Sequence, residues 1–214
     1  MEHNNMDLFN QTELFSTDEV IKTTFDLPGA DVTLFENFFS TKESNRLYDS
    51  LLKNTIWEQD SMTIYGKQVN LPRLTAWYGD TAKTVSYADN NRKMLPWNAD
   101  LKCIKERVEQ EVSIKFTRCL LNYYRDRKDS VDWHQDYEES QRENTVIGSV
   151  TFGATRPFQL KHATRNDLKR ISIPLAHGSL LLMQGATQNN WKHKIPKTSK
   201  PIQPRINLTF RWIK

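Results

Sequence analysis

The sequence predicts an α+β fold in which two helices pack on one face of a β-sandwich or jelly roll. The chain has 214 residues, enough for one domain with a sizeable buried core. Two segments in its first half have helical spacing, and short apolar runs separated by polar or Gly/Pro turns fill its second half. We expect a flexible acidic leader at residues 1–28 and a single domain at residues 29–214. Its helices and a hairpin occupy 29–115 and its sandwich occupies 116–214.

Both helices have recognisable starts. Ser40-Thr41-Lys42-Glu43 is a capping box, and Leu47 and Leu51 follow it on one helical face. Asn98 is a typical N-cap, and behind it an apolar stripe runs at helical spacing from Leu101 to Val112.

Seven apolar runs predict the strands of the sandwich. They are Cys119–Tyr124, Thr145–Phe152, Phe158–Lys161, Ile171–Leu175, Ser179–Met183, Trp191–Ile195 and Ile206–Ile213. The stretch Thr63–Tyr87 is rich in aromatic and β-branched residues and predicts a further hairpin.

Charge is distributed unevenly along the chain. Residues 1–43 carry a net charge of −7 and the remainder carries +11, and the last 23 residues hold seven basic side chains and no acidic one. A basic body with an acidic leader indicates a polyanionic partner, most often nucleic acid. Ordinary solvated surface charge is the alternative.

Nothing in the sequence indicates a membrane or secreted protein. No run reaches the roughly 20 apolar residues that span a bilayer, and the first residues lack a signal-peptide pattern. Cys103 and Cys119 are the two cysteines, which we expect to be reduced thiols. We therefore expect a cytoplasmic protein in a bacterium, or a nuclear one in a eukaryote.

A candidate metal site lies in the second half of the chain. His134 and Asp136 are two residues apart, so on an extended segment both side chains point to one side. His193 lies on a later predicted strand. Two histidines and a carboxylate match the facial triad that binds non-haem Fe(II) and leaves positions open for a co-substrate and O₂. The alternative is two surface histidines and a solvated acid.

A polar row follows on the last predicted strand. Alternation places Arg205, Asn207, Thr209 and Arg211 on one face and leaves apolar residues on the other. If the row faces the interior, two arginines require an anion, and a dicarboxylate fits because a guanidinium binds a carboxylate through two hydrogen bonds. An outward-facing, solvated row is the alternative.

Together these residues resemble the AlkB family of Fe(II)- and 2-oxoglutarate-dependent dioxygenases, in particular its nucleic-acid-repair members. The resemblance runs from about residue 30 to the end. Further segments match that family at Pro72–Asp80, Asn122–Tyr124, Asp129–Trp133, Ser149–Ala154 and Pro174–Leu180.

The resemblance implies a double-stranded β-helix and assigns roles to residues. His134, Asp136 and His193 would bind iron; Arg205, helped by Tyr124, would hold the distal carboxylate of 2-oxoglutarate. Asn122, Asn207 and Arg211 would hold its metal-chelating end.

The resemblance also implies the substrate: 1-methyladenine and 3-methylcytosine in DNA, with RNA as a further candidate, demethylated with release of formaldehyde. Glu138 would contact the exocyclic amine of the methylated base. Tyr78 and Trp77 are candidates to stack on the flipped base; packing in the core is the alternative, which we favour for Trp77 but not for Tyr78. Arg73 belongs to the same substrate-binding set. Tyr65 lies where double-strand-acting relatives carry a wedge on a nucleotide-recognition hairpin, although an ordinary core tyrosine is an equal alternative.

Two other functions stay open at this point: an oxygenase acting on a protein or small metabolite, and a non-catalytic nucleic-acid-binding module. Residues 5–15 contain two short peptides ending in Leu-Phe that resemble ligands of bacterial sliding clamps, or that merely pack on the domain. We expect a monomer.

Overall fold

Two β-sheets face each other and carry the helices on one side. The computed structural model describes residues 19–80, 84–87, 90–136 and 146–212. The strands are β1 (Ile21–Phe25), β2 (Asp31–Glu36), β3 (Ser61–Ile64), β4 (Lys67–Asn70), β5 (Leu74–Gly79), β6 (Thr84–Tyr87), β7 (Asn90–Lys93), β8 (Leu95–Pro96), β9 (Arg118–Tyr124), β10 (Val131–His134), β11 (Ile147–Gly153), β12 (Arg156–His162), β13 (Ile171–Leu175), β14 (Ser179–Gln184), β15 (Trp191–Ile195) and β16 (Arg205–Arg211). The helices are α1 (Thr41–Asn54), α2 (Ala99–Val112) and α3 (Thr187–Asn190).

The larger sheet has eight strands in the order β1-β2-β14-β11-β16-β9-β5-β8, and the smaller has four in the order β10-β15-β12-β13. Strands that are distant in sequence are neighbours in both sheets, as the jelly-roll prediction requires. Two hairpins, β3–β4 and β6–β7, form separate two-stranded sheets.

Both predicted helix starts are confirmed. Ser40 accepts a hydrogen bond from the Glu43 backbone and Glu43 returns one, which completes the capping box of α1. The Asn98 side chain accepts from the Leu101 backbone at the start of α2. Both helices pack on one face of the eight-stranded sheet, where Leu47 and its apolar neighbours form a core with the larger sheet.

A second core fills the space between the two sheets. Leu160 and Ile173 from the smaller sheet meet Ile147 and Met183 from the larger one. All four are essentially inaccessible to solvent. One part of the space between the two sheets is therefore filled by apolar side chains, and the polar residues of the candidate active site occupy the rest.

The last part of the segment expected as a leader forms a strand. Residues Ile21–Phe25 pair antiparallel with β2, from Ile21 opposite Glu36 to Phe25 opposite Val32, so the leader's last part belongs to the larger sheet. Lys22 and its neighbours are exposed because this is an edge strand, which is why the sequence carries no apolar alternation there.

No helix among the described residues is long and apolar enough to cross a membrane. Cys103 is exposed and Cys119 is buried, and both are free thiols, as expected.

Candidate active site

The sheet register brings the three predicted metal ligands together. His134 ends β10 directly opposite His193 on β15, and their ring centroids are 4.2 Å apart. Asp136 lies two residues beyond His134, with its carboxylate 3.5 Å from His134 Nε2 and 3.7 Å from His193 Nε2. One ligand atom from each residue lies within 4.8 Å of the others.

The two imidazoles are held in orientations that suit metal ligands. His134 Nδ1 is 2.8 Å from the Asp132 carbonyl, which can only accept, so Nδ1 carries a proton and Nε2 is the nitrogen that faces Asp136. His193 is buried and stacks on Phe158 at 4.9 Å. Burial, with the nearby His134, lowers the pKa of His193 to about 3, so this ring is neutral at physiological pH.

Asp136 is fixed from two sides. Its backbone N–H donates to Gln188 Oε1 at 2.9 Å, which ties the end of β10 to α3. Arg211 Nη2 donates to Asp136 Oδ1 at 2.8 Å. Burial raises the pKa of Asp136, but the charge of Arg211 and the hydrogen bond with His134 outweigh it and hold that pKa well below its usual range. The carboxylate therefore remains an anion.

This donor set fits Fe(II). Two imidazoles and one ionised carboxylate, converging from two adjoining segments, are the ligand types of the facial triad. The histidines would contribute nitrogen lone pairs and Asp136 a negative oxygen.

The polar row of β16 faces the interior, as the dicarboxylate interpretation requires. Arg205, Asn207, Thr209 and Arg211 are each at most 8% exposed. Their neighbours across β9 include Tyr124 opposite Arg205 and Asn122 opposite Asn207. The other face of β16 packs in the helix-side core.

Arg205 has the features of an anion-binding residue. It is 1% exposed, and its Nη2 donates to Thr151 Oγ1 at 2.8 Å. Its Nε and Nη1 are buried and have no hydrogen-bond partner among the described residues. Its guanidinium carbon is 5.2 Å from the Tyr124 ring centroid. Burial lowers the pKa of Arg205 to about 10, so the group stays charged, and a carboxylate would satisfy its spare donors.

Two asparagine side chains form hydrogen bonds beside the polar row of β16, between Arg205 and Arg211. Asn207 Nδ2 donates to Ser149 Oγ and to the Val150 carbonyl, both at 2.9 Å. Asn122 Oδ1 accepts from Arg73 Nε at 2.8 Å. The strand thus presents a continuous polar face from Arg205 to Arg211, which contacts the metal-ligand candidate Asp136.

The family is shown by comparison with known proteins. The model of the 2OG-Fe(II) oxygenase superfamily matches residues 31–211. The chain belongs to this superfamily and, within it, to the AlkB family. This superfamily uses Fe(II) as its metal and 2-oxoglutarate as its co-substrate. The donor set at His134, Asp136 and His193 fits that metal.

Two relatives illustrate the similarity. The chain is 40% identical over 190 residues to "Alpha-ketoglutarate-dependent dioxygenase alkB homolog 3" of Mus musculus, across 85% of this chain and 66% of the relative. It is 32% identical over 184 residues to "DNA oxidative demethylase ALKBH2" of Homo sapiens, across 82% of this chain and 70% of that protein. The chain thus spans about two thirds of the length of these relatives.

Solved structures share the fold. "The structure of OsALKBH1" superposes with a TM-score of 0.62 at 17% identity, covering 89% of this chain and 100% of that one. A prolyl hydroxylase from Trichoplax adhaerens superposes with a TM-score of 0.57 at 14% identity, covering 84% of this chain and 83% of that one. At these identities the likeness establishes the double-stranded β-helix.

Tyr65 lies at the tip of the β3–β4 hairpin. Tyr65 and Gly66 form its two-residue turn, with φ values of 49° and 75°, as in a type I′ turn. The Tyr65 side chain is fully exposed at 101%, which excludes the alternative of a core tyrosine. Ile64 is also exposed, so the tip presents an apolar surface to solvent.

The other predicted substrate residues lie in different environments. Tyr78 is 4% exposed within the helix-side core, on the sheet face away from the metal ligands, a position that does not allow base stacking there. Trp77 has the opposite orientation and contacts Leu120. Arg73 is buried and hydrogen-bonds Asn122, so it contacts the co-substrate side of the site. Glu138 lies outside the described residues.

Three residues that position the site were not predicted from the sequence. Thr151 contacts Arg205, and Ser149 contacts Asn207, both from β11. Their spacing of two on a strand beside the polar row is the signal that points to them. Gln188, which holds Asp136, gave no such signal because it lies in the short helix α3.

Proposed function

We propose that the protein is an Fe(II)- and 2-oxoglutarate-dependent oxidative demethylase of alkylated nucleic-acid bases, with 1-methyladenine and 3-methylcytosine as its substrates. The proposal depends on one observation: Arg205 is a fully buried cation whose Nε and Nη1 have no hydrogen-bond partner among the described residues. It lies on the same face of β16 as Arg211, which binds Asp136. The relative named DNA oxidative demethylase supports a DNA substrate, and so does the basic body of the chain.

The residues divide the chemical work. With O₂ as the oxidant, bound iron and 2-oxoglutarate would supply the chemistry that converts the N-methyl group to N-hydroxymethyl: one oxygen atom enters the methyl group and the other converts 2-oxoglutarate to succinate and CO₂. The hydroxymethyl group then leaves as formaldehyde and restores the base. Arg211 keeps Asp136 ionised and oriented, and burial keeps His193 neutral. Arg205 would hold the distal carboxylate and so fix the co-substrate, which is an orienting contribution.

One assay tests the proposal. The protein is incubated aerobically with Fe(II), 2-oxoglutarate and an oligonucleotide that carries a single 3-methylcytosine, and the oligonucleotide mass is followed. We expect loss of the methyl mass with one formaldehyde per lesion, and no loss without 2-oxoglutarate. Decarboxylation of 2-oxoglutarate without loss of the methyl group would instead indicate a protein or metabolite substrate. Binding without either reaction would indicate a non-catalytic module. The same lesion in RNA tests the wider substrate range.

We further propose that Tyr65 inserts into the base stack of a duplex while the damaged nucleotide is flipped out. An exposed aromatic at a rigid turn can offset part of the few kcal/mol that unstacking costs. Tyr65→Ala should therefore slow repair of double-stranded substrate far more than of single-stranded substrate. Because the side chain is fully exposed, the melting temperature should change little.

A matched control for this variant is Ile56→Ala, which also removes an exposed apolar side chain, 65% exposed, but lies outside the β3–β4 hairpin. It should leave the ratio of the two rates unchanged. Equal slowing on both substrates by Tyr65→Ala would contradict the wedge.

The sliding-clamp contact through residues 5–15 stays a prediction, because those residues lie outside the described part of the chain. A pull-down with a bacterial clamp, using double alanine variants at Leu8/Phe9 and Leu14/Phe15, tests it. Failure of the unmutated protein to bind would end the idea.

A further inference from the structure

Three cations surround one indole beside the metal ligands. Lys161 Nζ lies 4.5 Å and Lys194 Nζ 4.7 Å from the Trp133 ring centroid, and the Arg170 guanidinium carbon lies 5.7 Å from it. All three distances are within the range of cation–π attraction. They come from β12, β15 and the segment before β13, so the fold rather than local sequence gathers them.

This cluster lies on the outer face of the four-stranded sheet. On β15 the side chains alternate, with His193 buried and facing the metal site and Lys194 partly exposed on the reverse side. Trp133 stands in the same relation to His134 on β10. The basic face is therefore the reverse side of the two strands whose inner sides carry the metal ligands.

The arrangement is electrostatically costly for the protein alone. Lys161 lies directly opposite Lys192 across the β12–β15 pair, and like charges in such positions are destabilising. Within the described ranges no carboxylate forms an ion pair with Lys161, Arg170, Lys192 or Lys194. The Trp133 ring attracts the cations but contributes no negative charge. A bound polyanion would relieve the repulsion.

We propose that Trp133, Lys161, Arg170 and Lys194 form a patch that binds the phosphodiester backbone of the substrate strand outside the damaged nucleotide. The proposal rests on the proposed function for the identity of its partner. β10 is an edge strand of its sheet and carries both His134 and Trp133, so a nucleic-acid strand that leaves the metal site over this edge passes Trp133. By attracting Lys161 and Lys194, the indole holds their ammonium groups in place and reduces the entropy lost on binding phosphate.

Binding of an unmodified single strand tests the patch independently of catalysis. The double variant Lys161→Ala/Lys194→Ala is compared with Lys42→Ala/Lys53→Ala, which removes the same charge from exposed positions of α1. Fluorescence anisotropy of a long labelled oligonucleotide gives Kd over a series of salt concentrations. For the patch variant, the slope of log affinity against log salt should become shallower by about 0.7 per lost phosphate contact, as for single strands. For the control it should not change.

The variant Trp133→Leu separates the indole from the charge. It leaves the net charge unchanged but releases the lysines, so we expect several-fold weaker binding at low salt. An unchanged slope for the patch variant, or equal weakening by the patch and control variants, would overturn the proposal.

Kinetics distinguish this failure from failure of the proposed function. For the patch variant, kcat/KM for a long methylated oligonucleotide should fall several-fold relative to kcat/KM for the methylated nucleoside, which carries no phosphodiester for the patch to bind. A parallel fall on both substrates would contradict the patch. Absence of demethylation by the unmutated protein would contradict the proposed function, while the anisotropy result would still decide whether the patch binds a strand.

Discussion

Buried charged groups on the two faces of the eight-stranded sheet differ in whether the protein satisfies their hydrogen bonds. On the helix-covered side, both carboxylate oxygens of Glu109 in α2 have partners. Lys105 and the Phe116 backbone N–H contact Oε1 at 2.6 and 2.7 Å, and Lys115 contacts Oε2 at 2.9 Å. On the inner side, Arg205 is as deeply buried, yet two of its nitrogens have no partner in the described parts of the chain.

This difference separates stability from function. A buried ion whose hydrogen bonds are all satisfied by the protein holds the fold together, whereas one with spare donors is prepared for a ligand. Strand β16 carries both properties, since Leu208 and Phe210 lie in the helix-side core and Arg205 and Arg211 line the site. Substitutions on its two faces should therefore have different consequences.

The largest effect on activity is expected for Asp136→Asn. Asparagine keeps the volume and an oxygen acceptor for Arg211 but removes the negative charge that the metal requires. Formaldehyde release should fall to background while the melting temperature changes little. Asp132→Asn, the same change at an exposed side chain four residues earlier, on β10, is the control and should retain activity. Full activity of Asp136→Asn with bound iron would refute the triad.

Leu208→Ala tests the helix-covered face. Leu208 is 0% exposed, so its truncation leaves a cavity and should lower the free energy of unfolding by about 2–5 kcal/mol. The KM for 2-oxoglutarate, measured well below the melting temperature, should remain unchanged. Urea denaturation gives the stability, and a raised KM without loss of stability would contradict the division between the faces.

Arg205→Gln tests the inner face. Losing a charge-assisted hydrogen-bonded pair should weaken 2-oxoglutarate binding by about 1.5–3 kcal/mol, roughly 10- to 150-fold. Arg205→Lys keeps the charge but not the two-pronged geometry and should recover only part of the affinity. Calorimetric titration of 2-oxoglutarate measures both, and wild-type affinity in Arg205→Gln would mean that another residue holds the distal carboxylate.

The smallest effect concerns acid stability on the helix side. Burial raises the pKa of Glu109, but hydrogen bonds from Lys105, Phe116 and Lys115 outweigh it and lower that pKa below 4.5. Ionised Glu109 thus contributes stability that is fully present above about pH 4.5 and is lost as the pH falls through the lowered pKa. Glu109→Gln should be less stable than wild type at pH 7, and the difference should shrink on acidification below pH 4.5. Urea midpoints over a pH series check this, and a constant difference would contradict it.

Residues with strong local signals were predictable from the sequence. The capping box at Ser40, the bounds of β13 and β15, and the alternation of the β16 row all depend on nearest neighbours along the chain, and all are confirmed. The metal triad was predictable because residues two apart on an extended segment point to one side, and this holds for His134 at the end of β10 and Asp136 just beyond it.

Features set by tertiary contacts were not predictable. Edge strand β1 is exposed and lacks alternation, so its pairing with β2 decides its structure. Which of Trp77 and Tyr78 faces the site depends on their register against β9, where Tyr78 pairs with Cys119. Gln188 approaches Asp136 only through the folding of α3 against the end of β10.

Ligand-induced thermal shifts test most directly the central claim that one strand carries the core on one face and the co-substrate site on the other. Wild type, Leu208→Ala and Arg205→Gln are each melted with Mn(II) in place of Fe(II), with and without saturating 2-oxoglutarate. We expect Leu208→Ala to melt lower than wild type but to gain the full 2-oxoglutarate-dependent increase in Tm. Arg205→Gln should lose most of that increase. A full increase in Arg205→Gln, or a lost increase in Leu208→Ala, would contradict the account.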